Sequence, residues 1–389
     1  MKIIDEIPVW GTEVDQGALS QIKTCKESGA SHVALMADHH KGYSCPIGGV
    51  VAFENAISPS VIGFDISCGC KAILTDASPV DVKKNISKIM DDVVRNISFG
   101  VGRVNNTKVD HPLFYDDPAW ELIPELKDMA RNQLGTIGSG NHYVDIFEDE
   151  QNRIWVGCHF GSRGLGHKTA TRFFELCNAP DGMDVPPLVL DTSSPMGQEY
   201  LACMNLAGRY AYAGRDWVCS EVARILQAEV LDEVHNHHNF AWKEVHDGKE
   251  LWVGRKGATP AFPGQRGFVG GSMGEISVIL EGVENEEAKH SLYSTVHGAG
   301  RVMGRMEAKG KYKQGKCLRE GKVSQKMMDD WIKSANVELR GAGVDESPHC
   351  YKRLHEVLAE HSNSIKILHT LRPLGVAMAG NDVRDPYKD

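Results

Sequence analysis

Residues 154–164 read IWVGCHFGSRG, in which the short apolar run 154–156 is followed by a glycine, a cysteine, a histidine and two further glycines. β-Branched and aromatic residues bounded by glycine predict a strand. Residues 277–280, SVIL, show a similar pattern. Apolar residues at helical spacing predict long helices over about 199–234 and 351–371. Because strands and helices are mixed without regular alternation, we predict an α+β fold, a single large domain of mostly antiparallel sheets over residues 1–389.

Composition narrows the class of protein. The chain has 389 residues, of which 41% are hydrophobic and 24% charged, as in ordinary globular proteins. Its net charge of −9 argues against a protein that coats nucleic acid non-specifically. No apolar run approaches the roughly 18–20 residues that cross a bilayer. The acidic start MKIIDE is unlike a signal peptide. We therefore expect a cytoplasmic protein with no membrane partner.

Cysteine, histidine and glycine usage favours a metal-using enzyme. The 10 cysteines are scattered without a CxxC pair, so we expect most of them to be reduced. The 17 histidines and 40 glycines indicate many potential ligands beside many tight turns. Residues 105–120, polar and aromatic with two prolines, predict a long surface loop. Residues 305–326 are the most basic stretch, interpreted either as a solvated face or as a contact strip for a polyanion.

Four short motifs place possible ligands beside glycine turns. They read GFDISCGC (63–70), GSGNHYVD (138–145), CHFGSRG (158–164) and HNHHN (235–239). Each histidine alone could be a structural, hydrogen-bonded residue. Together, cysteine, histidine and aspartate suggest zinc, cobalt or iron by ligand softness. A carboxylate with a bridging thiolate would equally allow two ions, which suits phosphoryl chemistry.

A fifth motif, YSTVHGAGRVMGR (293–305), surrounds His297 with small residues. Arg301 and Arg305 lie four residues apart and would share one side of a helix. An open imidazole near guanidinium groups suits attack on a phosphate, although a structural histidine in a glycine turn is the alternative. Upstream, GGSMG (270–274) offers backbone N–H groups that could cradle an anion.

These five motifs, in this order, resemble those of the RtcB family of RNA-splicing ligases. MADHHKGYSCPIGGV (36–50), GATPAFPGQRGFVGGSMG (257–274) and DESPHCYKRL (345–354) also resemble family segments, so the likeness runs from about 36 to 380. It implies an RtcB-like fold and a ligase that joins RNA 3′-phosphate or 2′,3′-cyclic phosphate ends to 5′-hydroxyl ends. It further implies GTP and two Mn²⁺ ions as cofactors, a role in RNA repair or tRNA splicing, and allows an archease-like activating partner.

The resemblance also assigns roles to individual residues. One Mn²⁺ would be held by Cys68, His159 and His238, and the other by Asp65, Cys68 and His142, with the thiolate bridging. His297 would attack the α-phosphate of GTP and form a histidine–GMP intermediate. The expected nucleotide-binding residues are Asn141, Asp145, His238, Asn239, Gly270, Gly271, Ser272, Met273, Ser277, His297, Gly298, Ala299, Gly300 and Tyr351. We expect Arg163, Lys256 and Arg305 to hold RNA phosphates.

Two departures from the family pattern bear on nucleotide choice. Asp145 stands where the family has a glutamate that faces the guanine, and Ala379 replaces a lysine that touches the nucleotide. Losing one charged contact would cost on the order of 1–3 kcal/mol. We therefore expect a divergent paralogue with a less strict preference for GTP, dedicated to repairing one particular broken RNA. Ala379 also favours the main alternative, a metal-dependent RNA cyclic phosphodiesterase without ligation. A non-catalytic RNA-binding protein that uses residues 305–326 is the third hypothesis.

Overall fold

Two β-sheets with helices packed on them dominate the part of the chain that the computed structural model describes, residues 1–180, 182–313 and 316–380. The strands are β1 (Lys2–Ile4), β2 (Ile7–Val9), β3 (His32–His40), β4 (Ile47–Phe53), β5 (Ala56–Ile57), β6 (Gly69–Thr75), β7 (Tyr143–Asp149), β8 (Ile154–Phe160), β9 (Leu190–Asp191), β10 (Val230–His237), β11 (Asn239–His246), β12 (Lys249–Lys256), β13 (Ala258–Pro260), β14 (Arg266–Val269), β15 (Ser277–Gly282), β16 (Ser294–Val296), β17 (Gly310–Lys313), β18 (Lys316–Glu320), β19 (Glu338–Ala342) and β20 (Ile365–Gly380). The α-helices are α1 (Gln16–Glu27), α2 (Pro59–Ile62), α3 (Pro79–Asn96), α4 (Leu113–Asp116), α5 (Lys127–Gln133), α6 (Arg163–Leu176), α7 (Pro195–Leu226), α8 (Glu286–His290), α9 (Arg305–Lys309), α10 (Gln325–Ala335) and α11 (Leu354–Ala359). The strands predicted at 154–156 and 277–280 are confirmed as parts of β8 and β15.

The larger sheet has the order β10-β6-β8-β7-β20-β15-β14, with β19 added parallel to β20. Its edge strands meet through one side chain. The backbone N–H of Phe268 on β14 donates to Asn236 Oδ1 on β10 across 2.8 Å, and Asn236 Nδ2 donates back to Phe268 O across 3.3 Å. The sheet is therefore curled around its own core. A Cβ at Gly157 would lie only 2.8 Å from the rings of Phe147 and Phe268, so the interior is filled at this point.

The second sheet has the order β1-β2-β3-β4-β12-β11. The side chains of α1 pack on it and form an apolar cluster with β2, β3 and β4. Strands β13 and β16 form a separate antiparallel pair next to β3. This mixture of mostly antiparallel sheets and helices confirms the predicted α+β class.

The helix predicted over 199–234 ends earlier and begins earlier than expected. Ser194 caps α7 by accepting from the N–H of Gly197, and Pro195 occupies its first turn. Gln227 adopts a left-handed conformation with φ 55°, which ends the helix. Val230 and Val234, predicted to be helical, instead lie in β10, which pairs with β6. The helix prediction was wrong for these two residues because the spacing of apolar residues does not indicate where the chain reverses its direction.

Two further predictions need correction. The helix predicted over 351–371 is restricted to α11, and Ile365 and Leu368 belong to β20, which pairs with β15 and β7. Long-range strand pairing overrides the helical spacing here. The predicted surface loop at 105–120 contains α4 and a 3-10 turn at Pro118–Glu121, and it buries Phe114 and Trp120.

The basic stretch 305–326 comprises α9, the β17–β18 hairpin and the start of α10; positions 314 and 315 lie outside the described residues. Lys309 pairs with Asp345 at 3.0 Å, and Lys322 with Glu307 at 2.5 Å. The exposed Lys322–Glu307 pair fits the solvated-face interpretation, whereas Lys309 pairs with a fully buried carboxylate. The predicted single domain also covers positions 181 and 381–389, which are likewise outside the described residues, so its extent stays a prediction. None of the described helices combines the length and apolar character of a bilayer-spanning segment.

Candidate active site

The register of the curled sheet creates one rim where four strands begin or end. Cys70 at the start of β6 pairs with His159 near the end of β8, and His159 pairs with Tyr143 at the start of β7. On the other side, Gly69 pairs with His237 at the end of β10. Side chains at or just beyond these strand ends must converge. They are Asp65, Cys68, His142, His159 and His238, from the four ligand motifs.

The first ligand group consists of Cys68, His159 and His238, all buried. Sγ of Cys68 lies 3.2 Å from Nε2 of His159, which lies 3.2 Å from Nε2 of His238. The second group consists of Asp65, Cys68 and His142. There, Nε2 of His142 is 3.1 Å from Oδ2 of Asp65 and 3.6 Å from Sγ of Cys68. In each group all three ligand atoms lie within 4.8 Å of one another, and Cys68 belongs to both groups.

The donor set fits metal ions because its lone pairs face each other. Nδ1 of His159 donates to Asn141 O across 3.1 Å, so Nε2 keeps its lone pair towards Cys68 and His238. Burial lowers the pKa of His159 to about 3, and burial together with His297 lowers the pKa of His238 well below its usual range. Both rings are therefore neutral near pH 7. Burial, reinforced by Asp65, raises the pKa of the Cys68 thiol in the absence of a cation. A divalent cation bound between these atoms would replace the unfavourable approach of lone pairs to one another by favourable coordination.

His297 lies directly beyond β16, next to the first ligand group. Its ring centroid is 4.9 Å from that of His238, and its side chain remains 15% exposed. Nδ1 donates to Oδ2 of the fully buried Asp38 across 2.6 Å, and the backbone N–H of His297 donates to the same oxygen across 3.0 Å. Gly257 packs against the ring: a Cβ there would lie 3.0 Å from Cε1 of His297. Nε2 is thus the ring nitrogen available for chemistry.

Asp38 is a residue that the sequence analysis missed. It lies on β3 within the stretch 36–50 that resembles the family, where no role was assigned to it. Burial alone would raise the pKa of Asp38, but His297 outweighs that effect and holds the pKa below its usual value. The available signal was an aspartate directly after the apolar run 33–37, since an ionised carboxyl is buried only with partners.

Several of the expected nucleotide-binding residues lie on the loop that follows His297 and on a second loop beside it. A Cβ at Gly298 would lie 3.5 Å from Gly270 O, which brings the GGSMG loop alongside the His297 turn. The N–H of Gly271 donates to Ser277 Oγ across 3.0 Å, and Ser272 Oγ donates to a carboxylate oxygen of Glu275 across 2.7 Å. Other members of the expected set are Met273 and Ala299, both buried, Gly300 with φ 77°, and Asn239, whose Oδ1 accepts from the N–H of Gly257.

Asp145 occupies an apolar part of the curled sheet. It pairs with Gly157 on β8 and Val376 on β20. Its Oδ1 has no hydrogen-bond partner among the residues that the structure describes, and burial raises the pKa of Asp145 well above its usual range. Ala379 lies at the end of β20 and is also buried. Tyr351 accepts from Arg301 across 2.9 Å and donates to Glu346.

The three residues expected to hold RNA phosphates have different surroundings. Nη1 of Arg163 lies 3.2 Å from Nδ1 of His142, so this guanidinium contacts the side of the His142 ring that faces away from Asp65 and Cys68. Arg305 pairs with Glu346 and, at 3.2 Å, with Asp345, while Nη2 lies 3.5 Å from a Cβ built at Gly140. Lys256 donates instead to the carbonyls of Tyr43 and Ser60 across 2.7 and 3.2 Å.

Fold and site together define an α+β enzyme in which a buried Cys–His–Asp cluster adjoins a histidine oriented by an aspartate. The family described as "tRNA-splicing ligase RtcB" matches residues 21–122 and 118–379. The chain belongs to the RtcB family.

Similar proteins match over most of their length. The RNA-splicing ligase RtcB1 of Escherichia coli is 31% identical over 377 residues, which cover 88% of each chain. The RNA-splicing ligase RtcB of Escherichia coli K12 gives the same identity and coverage. The tRNA-splicing ligase RtcB of Archaeoglobus fulgidus is 31% identical over 436 residues, covering 88% of this chain and 86% of the archaeal one.

Proposed function

We propose that this chain is an RNA ligase that joins RNA 3′-phosphate or 2′,3′-cyclic phosphate ends to 5′-hydroxyl ends, in RNA repair or tRNA splicing. It uses GTP and two Mn²⁺ ions and passes through a histidine–GMP intermediate on His297. Family membership supports ligation of RNA. The observation that carries the nucleotide chemistry is the contact between Asp38 and Nδ1 of His297, beside the two ligand groups.

The first step uses the free Nε2 of His297. Its lone pair forms a bond to the α-phosphorus of GTP, the bridging bond to the β-phosphate breaks, and pyrophosphate leaves with that electron pair. A neutral imidazole is a competent nucleophile. Asp38 holds the reactive tautomer and stabilises the positive charge that develops on the ring, as carboxylates do for other catalytic histidines.

Two further transfers complete ligation. An oxygen of the RNA 3′-phosphate attacks the phosphorus of the bound GMP, the P–N bond breaks, and His297 is regenerated. The RNA 5′-hydroxyl then attacks the activated 3′-phosphorus, loses its proton to solvent and expels GMP. A 2′,3′-cyclic end must first be opened by water. Arg163 and Arg305 flank this region and are suited to orient phosphates.

Cys68, His159 and His238 would hold one ion, and Asp65, Cys68 and His142 the other. When bound, divalent cations supply Lewis-acid polarisation of the reacting phosphates. The family resemblance favours Mn²⁺ over the zinc that ligand softness alone suggests. Lys256 already donates to the carbonyls of Tyr43 and Ser60, so its contact with an RNA phosphate would have to add to these hydrogen bonds or replace one of them.

The test is covalent labelling without RNA. Wild-type protein incubated with Mn²⁺ and GTP labelled at the α-phosphate is expected to become labelled, and His297→Ala is expected to abolish the label. His355→Ala, which alters an exposed histidine of α11, serves as the matched control and should label normally. Defined RNA ends then test ligation. An unlabelled wild type would contradict the proposal.

Asp145 and Ala379 favour a second candidate, a metal-dependent RNA cyclic phosphodiesterase. Each ligand group brings three possible ligands together, whereas Asp145 is buried with its Oδ1 unpaired among the described residues, and Ala379 offers no charged contact. This candidate predicts opening of a 2′,3′-cyclic end without joining to a 5′-hydroxyl RNA, and no label on His297.

A further inference from the structure

Arg215 is an arginine inside the protein that the proposed chemistry does not use. It lies on α7 and its side chain is fully buried. Nη1 donates to the carbonyl oxygens of Ser67 and Phe160 across 3.0 and 2.6 Å. Nε donates to Nε2 of His235 across 2.8 Å, and Nη2 donates to Nδ1 of His237 across 3.1 Å. One guanidinium thus joins three separate chain segments.

Three of these four partners adjoin a member of the first ligand group. Ser67 precedes Cys68, Phe160 follows His159, and His237 precedes His238. The three ligands come from the loop before β6, the end of β8 and the end of β10. They are far apart in the sequence, so their mutual positions depend on tertiary contacts. A rigid, planar group with donors in fixed directions can set the mutual positions of all three segments.

The second ligand group has different support. His142 lies against Ile137 O at 3.1 Å and Nη1 of Arg163 at 3.2 Å. Asp65 accepts from the backbone N–H of Cys68 through its own carbonyl and contacts His142 through its side chain. Arg215 therefore contacts neighbours of every member of the first group, whereas its hydrogen bonds touch the second group only at Ser67, in the turn between Asp65 and Cys68.

Backbone strain near Cys68 makes this support consequential. Ser67 has φ 64°, a left-handed conformation that is unfavourable for a residue with a side chain. Its carbonyl accepts from Arg215, and its N–H donates to Asn239 O across 2.7 Å. The described hydrogen-bond partners of Arg215 are carbonyls and imidazoles, not carboxylates, and its guanidinium also lies over the ring of Tyr212. A buried charge without an ion pair stabilises a protein core poorly. The directional hydrogen bonds of Arg215, and not its charge, are therefore the feature to which a role can be assigned.

We propose that Arg215 is a positioning residue that builds the ion site of Cys68, His159 and His238 selectively over the site of Asp65, Cys68 and His142. The inference rests on the proposed function, because it requires that both groups bind ions. Losing a residue that orients metal ligands typically weakens binding by roughly 10–100-fold. That loss should fall on one of the two ions.

The experiment titrates Mn²⁺ alone into the metal-free, folded full chain and follows binding by calorimetry and by the paramagnetic resonance of free Mn²⁺. Wild type should bind two ions. Arg215→Met should weaken one of them at least about tenfold and leave the other nearly unchanged. The double variant Arg215→Met/His142→Ala should lose both tight ions, whereas His142→Ala alone should keep one. This combination assigns the lost ion to the first group.

Arg255→Met is the matched control. Arg255 is equally buried, and its described side-chain hydrogen bonds go to Ser294 Oγ, Leu292 O and Glu244, none of which adjoins a member of either ligand group in the sequence. It should lower the unfolding temperature while both ions bind as in wild type. Arg215→Lys keeps the charge but offers a single nitrogen, so it should show the same selective loss in a less disruptive background.

Each outcome decides the question. Two ions in wild type and two unchanged ions in Arg215→Met overturn the inference alone. Equal weakening of both ions, or failure of both Arg215 variants to fold, also overturns it, since Arg215 would then support the whole fold. No ion in wild type contradicts the metal centre of the proposed function itself. Selective loss in a folded variant supports the inference.

Discussion

At the residue scale, the hydrogen bond from His297 to Asp38 should control the nucleophile. Replacing Asp38 by asparagine preserves the shape of the side chain but allows its amide to donate to Nδ1, which favours the tautomer with the proton on Nε2. We expect Asp38→Asn to slow formation of the histidine–GMP adduct by roughly 10²–10⁴-fold, as for other histidines in the wrong tautomer. Single-turnover labelling with GTP measures this rate.

Metal binding separates this effect from a general loss of the site. Asp38 contacts His297 and Gly298 but neither ligand group. Asp38→Asn should therefore bind Mn²⁺ as wild type does. A normal labelling rate in this variant would show that Asp38 does not orient the nucleophile.

Ala379 offers a residue-scale test of nucleotide choice. Restoring the family's lysine in Ala379→Lys adds one charged contact, worth on the order of 1–3 kcal/mol, or up to about a hundredfold tighter GTP binding. Equilibrium binding of GTP and ATP, measured without RNA, checks both affinity and preference. Ala359→Lys adds the same charge at an exposed position of α11 and should change neither. Unchanged GTP affinity in Ala379→Lys would place the nucleotide away from the end of β20.

Parts of the site were predictable from sequence because their residues lie beside glycine turns. Cys68, His142 and His159 each occur in a short, recognisable motif. Asp38 and Arg215 do not. Asp38 matters through its contact with His297, which lies 259 positions away, and Arg215 through contacts with three separate segments. Local patterns cannot report such long-range contacts.

At the scale of elements, short strands were predicted better than the ends of long helices. β8 and β15 carry their signal within a few residues and are bounded by polar or glycine positions. The region 195–237 instead changes from α7 to β10 while its apolar spacing continues. The change is fixed by the left-handed Gln227 and by pairing with β6, and a periodicity argument detects neither.

The left-handed residues that end α7 and α10 provide an element-scale prediction. Gln227 ends α7 with φ 55°, and Asn336 ends α10 with φ 54°. Glycine adopts this conformation without steric cost, and asparagine tolerates it better than glutamine. Gln227→Gly should therefore raise the free energy of unfolding by about 0.5–1 kcal/mol. Asn336→Gly should gain less. Urea unfolding of both variants measures the difference, and an equal or larger gain at Asn336 would contradict this account.

At the scale of the whole molecule, curling of the larger sheet turns distant segments into one site. The ligands at positions 65, 68, 142, 159 and 238 span much of the chain and meet only when β6, β7, β8 and β10 are in register. The unfolded chain therefore contains no preformed ion site. Any ion that these side chains bind would therefore be thermodynamically coupled to folding.

This coupling yields a prediction for the folded protein as a whole. Ions that bind only the native state stabilise it by about 2.7 kcal/mol per site at a hundredfold excess over Kd. Saturating Mn²⁺ should raise the unfolding temperature of the metal-free chain, and a chelator should reverse the increase. Cys68→Ser weakens the ligand that both groups share and should remove most of the increase, whereas Cys177→Ser, at a half-buried cysteine of no ligand group, should retain it. Equal stabilisation of all three proteins would place the bound Mn²⁺ elsewhere than at the strand-end rim.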